Sequence, residues 1–223
     1  GLVPSWAKDP SIGNKLLNAR AETLAEKPAF RTALQRRRCL IPADGFYEWQ
    51  RQGRDKQPFF IHLRRAFREG DLFAFAGLWE TWWPPGVRPS GPTEIAPMRS
   101  GTIITVAPNG LMAPIHDRMP AILRPEDEAA WLAAASGATG AAGSPSLVAG
   151  LLRPYDEAQM GAEPVSRRVN SPRHDAPDCL AAPEPGAADS ASSLEAPTAP
   201  QPDDDEPLLR GLRGVGSGPR GRA

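Results

Sequence analysis

Four stretches of the chain, residues 39–50, 57–65, 71–82 and 101–107, concentrate aromatic and β-branched residues between polar or glycine-containing segments. That distribution predicts strands, because such side chains pack well on a pleated surface. Gln52-Gly53-Arg54-Asp55-Lys56 supplies turn residues between the first two, which implies a hairpin and an antiparallel sheet. Residues 84–99 hold five prolines and predict an exposed loop between strands. Helical patterning is confined to short segments. In residues 28–37, Pro28 stands near the first helical position, Ala29, Phe30, Ala33 and Leu34 share one face, and arginines take the other. Residues 125–132 open a second helix with Pro125 and the acids Glu126, Asp127 and Glu128 in its first turn, complementing the helix dipole. Residues 146–152 suggest a third helix, and residues 164–170 a last strand. Runs of strands broken by a few short helices define an α+β domain built on a curved, mainly antiparallel sheet or open barrel.

Composition divides the chain in two. Residues 1–180 carry the patterning above, whereas residues 181–223 hold little that could be buried. From 183 to 207 there are seven acidic residues, no basic ones, and Pro and Ala in place of branched or aromatic side chains. Such a segment cannot offset its ordering entropy, so a disordered tail is expected. The formal net charge of zero conceals an asymmetry: residues 1–65 contain thirteen Lys and Arg against six Asp and Glu. A basic ordered half is compatible with a polyanionic partner or with an ordinary solvated surface. Two cysteines, Cys39 and Cys179, are too few for a disulfide framework, and no signal peptide or long apolar run occurs. A cytoplasmic protein without membrane contact is expected. The opening Gly1-Leu2-Val3-Pro4-Ser5-Trp6 reads as mid-domain sequence, so a fragment of a longer protein is expected as well. No Gly-x-Gly-x-x-Gly or Walker-type loop is present, and His62, His116 and His174 fall in no metal-ligand spacing, so neither a nucleotide cofactor nor a metal is expected.

Three strings carry groups suited to proton transfer or hydrogen bonding: Asn18-Ala19-Arg20-Ala21-Glu22-Thr23, Gly45-Phe46-Tyr47-Glu48-Trp49 and Ile115-His116-Asp117-Arg118-Met119-Pro120. Glu48 lies between two aromatics near the end of a predicted strand. Facing inward, it would have a raised pKa suited to general acid or base work; facing outward, it would simply be solvated. His116 sits in a proline-flanked loop, either structural or a proton donor and acceptor near neutrality. Asn18 by itself reads equally as a turn or N-cap residue.

Together these strings resemble the SOS-response-associated peptidase (SRAP) family. The resemblance extends over residues 1–180 through Cys39-Leu40-Ile41-Pro42-Ala43-Asp44, Thr102-Ile103-Ile104-Thr105 and Val165-Ser166-Arg167-Arg168-Val169-Asn170-Ser171-Pro172. It implies an SRAP-like α+β fold, active-site groups at Asn18, Glu48 and His116, and DNA contacts at Trp6, Arg20 and Arg118, with Trp6 stacking and the arginines on phosphate. It also implies a monomer that captures abasic sites in single-stranded DNA near the nucleoid. The implied chemistry is a thiazolidine formed by an N-terminal Cys, with autoproteolytic removal of the initiator Met by the same site. Cys39 and Cys179 have no free α-amine for that role. Two other readings stay open: a non-catalytic single-stranded DNA binding module, and a peptide hydrolase using Glu48 and His116.

Overall fold

A computed structural model of the chain describes residues 1–64, 72–87, 95–133 and 145–184, with side chains omitted for 145–147. The expected tail lies almost entirely outside the described residues. The strands are β1 (Asn18–Arg20), β2 (Arg38–Ala43), β3 (Phe46–Gln52), β4 (Asp55–Leu63), β5 (Phe73–Trp82), β6 (Met98–Val106), β7 (Met119–Pro120), β8 (Ile122–Leu123) and β9 (Met160–Pro164). The α-helices are α1 (Arg31–Arg36), α2 (Pro125–Ala133) and α3 (Pro145–Leu151). A six-stranded mixed sheet has the order β1-β6-β5-β2, with β7 on β6 and β8 on β5, and a three-stranded sheet has the order β3-β4-β9. The two sheets form a half-barrel of α+β class.

The expected hairpin is present. Gln52 pairs with Asp55, leaving Gly53-Arg54 as a two-residue turn, and Gly53 takes φ 61°. Only the first central residue has positive φ, as in a type II′ turn, whose twist matches the flanking strands. Two expectations need correction. Residues 39–50 are not one strand: β2 and β3 lie in different sheets, separated at Asp44-Gly45. A Cβ at residue 45 would stand 2.1 Å from the Phe60 ring and 2.8 Å from the Ile61 carbonyl oxygen, so the chain passes this corner only without a side chain. Residues 167–170, expected in the last strand, form a 3₁₀ turn capped by Ser166, whose side chain accepts from the Arg168 N–H; the strand itself is β9, a few residues earlier. The pairing of β1 with β6 is parallel, which the sequence pattern did not suggest.

Strand alternation gives the six-stranded sheet two faces. One is covered by α1 and α2. There Trp131 is fully buried and its indole N–H donates to the Cys39 carbonyl at 3.0 Å, while the Arg38 guanidinium lies 5.2 Å from its ring centroid. The buried Arg38 also donates through Nε to the Leu34 carbonyl at 2.6 Å, joining α1, β2 and α2. The other face meets the second sheet through Phe46 of β3 and Phe75 of β5, edge to face at 5.7 Å. Trp131→Ala removes the ring that spans β2 and α2 together with its hydrogen bond; urea unfolding should show a loss of roughly 3–5 kcal/mol. A loss below about 1 kcal/mol would show that the helices are not held by this side chain.

Candidate active site

β1 is short, but its register fixes the direction of its side chains. Asn18 pairs with Ile103 and Arg20 with Thr105, while the intervening Ala19 is buried toward the helices. Asn18 and Arg20 therefore share the face that looks toward the second sheet. The row continues across the sheet from Ile103 to Gly77 and Cys39. On the opposing sheet Phe46 and Glu48 are two residues apart on β3 and both are 2% exposed. Since Phe46 contacts Phe75, Glu48 also points into the space between the sheets. The choice left open by sequence is thus settled in favour of the inward orientation.

The surroundings of Glu48 are poor in donors. Its Oε1 is buried and has no hydrogen-bond partner among the described residues. Burial pushes its pKa from the ordinary 4.5 up to about 8, opposed by a backbone hydrogen bond at Trp49 and reinforced by the Asp117 carboxylate. At neutral pH this carboxyl is protonated, so it can donate a proton as well as accept one.

His116 reaches the site through the segment after β6. The Asn109 side chain accepts from the Met112 N–H at 2.9 Å and donates to the Tyr155 carbonyl at 2.8 Å, and the His116 N–H donates to the Met112 carbonyl. The Gln50 amide donates to the Pro114 carbonyl at 3.1 Å, tying this loop to β3 two residues beyond Glu48. The Arg118 backbone N–H donates to His116 Nδ1 at 3.0 Å. The Arg118 carbonyl lies 3.2 Å from the same nitrogen, so Nδ1 accepts from the Arg118 N–H in one tautomer and donates to its carbonyl in the other. The Asp117 carboxylate, 3.1 Å from Nδ1, becomes an acceptor when that nitrogen is protonated.

The three residues matched to DNA contact sit in different environments. Trp6 is 59% exposed on the segment packed against Trp82, whose indole N–H donates to the Ala7 carbonyl at 2.7 Å. Arg20 is exposed at the end of β1. Arg118 is engaged: its two terminal nitrogens donate to the two Glu22 oxygens at 2.9 Å each, and Nη2 also donates to the Thr105 carbonyl at 2.7 Å. This pairing holds the Glu22 carboxyl below the usual carboxylate range. Glu22, Asp117, Thr105 and Gln50 were assigned no role from sequence. Glu22 lies in the string that drew attention to Asn18, but its partner is 96 residues away.

Neither cysteine is poised for attack. Burial pushes the Cys39 thiol up to about 11, and Cys179 is buried with its thiol near the His174 carbonyl. Although sequence spacing indicated no metal-ligand cluster, folding brings His174, Asp178 and Cys179 together, with ligand atoms within 4.8 Å of one another. Asp178 there already accepts from His174 at 2.6 Å and from Arg168 at 2.5 Å. No helix among the described residues is long and apolar enough to cross a membrane.

The half-barrel buries the Glu48 carboxyl between its two sheets, with Asn18 on the sheet face opposite and His116 on a loop tied to β3 through Gln50. The family model described as SOS response associated peptidase (SRAP) matches residues 1–172, and the chain belongs to that family. It is 47% identical over 181 residues to the abasic site processing protein YoqW of Bacillus subtilis, covering 81% of this chain and 73% of the relative. It is 37% identical over 201 residues to the abasic site processing protein HMCES of Xenopus tropicalis, covering 82% and 55% respectively. Among solved structures, a protein from Bacteroides thetaiotaomicron matches with a TM-score of 0.67 at 29% identity, over 82% of this chain and 74% of the other.

The raised pKa of Glu48 has a signed consequence for stability. The folded state keeps this proton up to about pH 8, whereas an unfolded glutamate releases it near 4.5. The folded state therefore binds more protons across that window, and stability falls as pH rises from about 4.5 to about 8, by up to about 1.4 kcal/mol per pH unit. Urea midpoints measured from pH 5 to 8 should fall less steeply in Glu48→Gln than in the wild type, with the variant the more stable at pH 8. Parallel pH profiles would show that Glu48 ionises normally.

Proposed function

We propose that this chain processes abasic sites in single-stranded DNA by covalent capture, with Glu48 and His116 transferring protons and Asn18 holding the sugar. The acid–base half rests on the buried Glu48 carboxyl, which lacks a partner for Oε1 among the described residues and stays protonated at neutral pH. The substrate half draws support from YoqW and HMCES, relatives named as abasic site processing proteins.

The ring-opened abasic deoxyribose offers an aldehyde. An α-amine adds to its carbonyl carbon and water leaves, giving an imine; an adjacent thiol then adds to the imine carbon and closes a thiazolidine. Protonated Glu48 delivers a proton to the departing hydroxyl, and His116 accepts one from the attacking amine. Cys39 and Cys179 lack the α-amine, so this reading requires the family's N-terminal Cys as nucleophile, and the same proton-transfer groups would serve autoproteolytic release of an initiator Met. Trp6 supplies a stacking face and Arg20 a phosphate contact. Arg118 reaches the strand only with the N–H groups that Glu22 and Thr105 leave over. The protein acts as a soluble monomer at the nucleoid, without a cofactor.

Two forms test the reading: the chain Gly1–Ala223, and the same chain expressed with its upstream reading frame, which should open Met-Cys. On denaturing gels with an abasic oligonucleotide, the extended form should give a heat-stable adduct and the Gly1–Ala223 form none. Glu48→Gln and His116→Ala should slow that adduct by roughly a hundred- to ten-thousand-fold, with single-stranded DNA affinity nearly unchanged. Adduct formation at the parent rate in both variants, or an adduct mapped to Cys39 or Cys179, would contradict the assignment.

A further inference from the structure

We infer that His174, Asp178 and Cys179 form a three-residue site for Zn²⁺, which clips the segment after β9 onto the outer face of β3. The site stands on local geometry and does not depend on the DNA reading. One ligand atom from each residue lies within 4.8 Å of the others. The chain gathers them within a few residues. The His174 N–H donates to the Ser171 carbonyl, and Pro177 then opens a 3₁₀ turn, Pro177–Leu180, that carries Asp178 and Cys179. At the base of this loop the Ser166 N–H donates to the Ala181 carbonyl at 2.8 Å. With Phe46 and Glu48 turned inward, Tyr47 and Trp49 occupy the opposite face of β3. The loop reaches that face, since the Trp49 indole N–H donates to the Asn170 side chain at 2.7 Å. Burial first and Cys179 second push the Tyr47 hydroxyl up to about 12, which places the sulfur within electrostatic reach of the same face.

The donor set selects the cation. Imidazole nitrogen and thiolate sulfur suit zinc, whereas magnesium and calcium take oxygen ligands. Cys179 is only 8% exposed, and its thiol makes one long contact, 3.8 Å to the His174 carbonyl, among the described residues. A thiol buried as a small hydrophobe has no need of an imidazole and a carboxylate beside it. Asp178 divides its two oxygens: Oδ2 accepts from Arg168 at 2.5 Å, and Oδ1 faces His174 Nε2 at 2.6 Å. Arg168 and then His174 hold this carboxyl below the usual carboxylate range, so it stays anionic. Arg168 thereby orients the carboxylate from behind and leaves Oδ1 for the cation, as hydrogen-bonded partners of metal-bound carboxylates do. Binding replaces the proton between Nε2 and Oδ1 with the metal and releases the thiol proton, so two anionic ligands balance the charge. With zinc 2.0–2.3 Å from each ligand, tetrahedral ligand atoms stand about 3.3–3.6 Å apart. The His174–Asp178 contact therefore opens by under about 1 Å while wider spacings close, and water takes the fourth position.

The experiment titrates the full chain, kept reduced, with Co²⁺ as the spectroscopic probe and Zn²⁺ as the competitor. The wild type should bind one Co²⁺ with a thiolate-to-cobalt charge-transfer band in the near ultraviolet and tetrahedral bands in the visible, both removed by one equivalent of Zn²⁺. Cys179→Ala should lose the charge-transfer band. His174→Asn alters a half-exposed side chain and decides the matter if Cys179→Ala does not fold; it should weaken cobalt binding by more than about a hundredfold, beyond what loss of an outer partner costs. Cys39→Ala should keep the band and the affinity. Zn²⁺ should raise Tm in the wild type and in Cys39→Ala but not in His174→Asn, because only a ligand bound to the folded state stabilises it. The acidic run Asp203-Asp204-Asp205-Glu206 can also gather cations but has no sulfur, so it gives no charge-transfer band. A wild type without that band in a large excess of Co²⁺ overturns the inference. It is equally overturned if cobalt affinity is unchanged in His174→Asn, or if the band is lost in Cys39→Ala instead of Cys179→Ala.

Discussion

The corner at Asp44-Gly45 transfers the chain from one sheet to the other, and the geometry of the site depends on it. Residue 45 passes so close to the Phe60 ring and the Ile61 carbonyl that a Cβ would overlap both. The strand leaving this corner pairs with β4, so that Phe46 lands opposite Ile61 and Glu48 opposite Phe59. Phe46 then meets Phe75 across the gap, and strand periodicity carries Glu48 into the same dry space. Desolvation of that carboxyl is the largest cause of its altered acidity. A backbone constraint at one residue is converted into chemistry three residues later.

Around Glu48 the charges are arranged unequally. Asp117 contacts His116 and also raises the pKa of Glu48, so one exposed carboxylate acts on both side chains. Arg118, beside His116, is balanced by Glu22 rather than left open. Exposed Arg20 lies on the strand that bears Asn18, whereas the exposed aromatic Trp6 lies on the segment packed against Trp82. Burial inside the gap lets the Glu48 carboxyl keep its proton while the exposed border stays polar.

Much of this was legible in the sequence, for identifiable reasons. α2 was readable because Pro125 and three acids mark a helix start, and the β3–β4 hairpin because Gly53 marks the position needing positive φ. Asn18, Glu48 and His116 stood out as a joint pattern, though each was ambiguous by itself. The orientation of Glu48 was not readable, since alternation gives two faces and only the partner sheet says which is buried. The break at Gly45 was hidden within an unbroken apolar and aromatic run. The last strand was placed late because Gly161 and Pro164 weaken the signal of β9, while the Val165-Ser166-Arg167-Arg168-Val169 run imitates a strand. The pairing of Glu22 with Arg118 depends on the parallel register of β1 on β6, which three residues of sequence do not reveal.

The central claim is that the fold holds the Glu48 carboxyl protonated at neutral pH. Infrared difference spectroscopy of the protonated carboxyl C=O stretch, assigned by comparison with Glu48→Gln, observes this directly. The account predicts a band in the wild type, absent from the variant, that persists through pH 7 and disappears with a midpoint near 8. A band lost near the ordinary glutamate value of 4.5 would show a solvated carboxylate at position 48 and contradict the account.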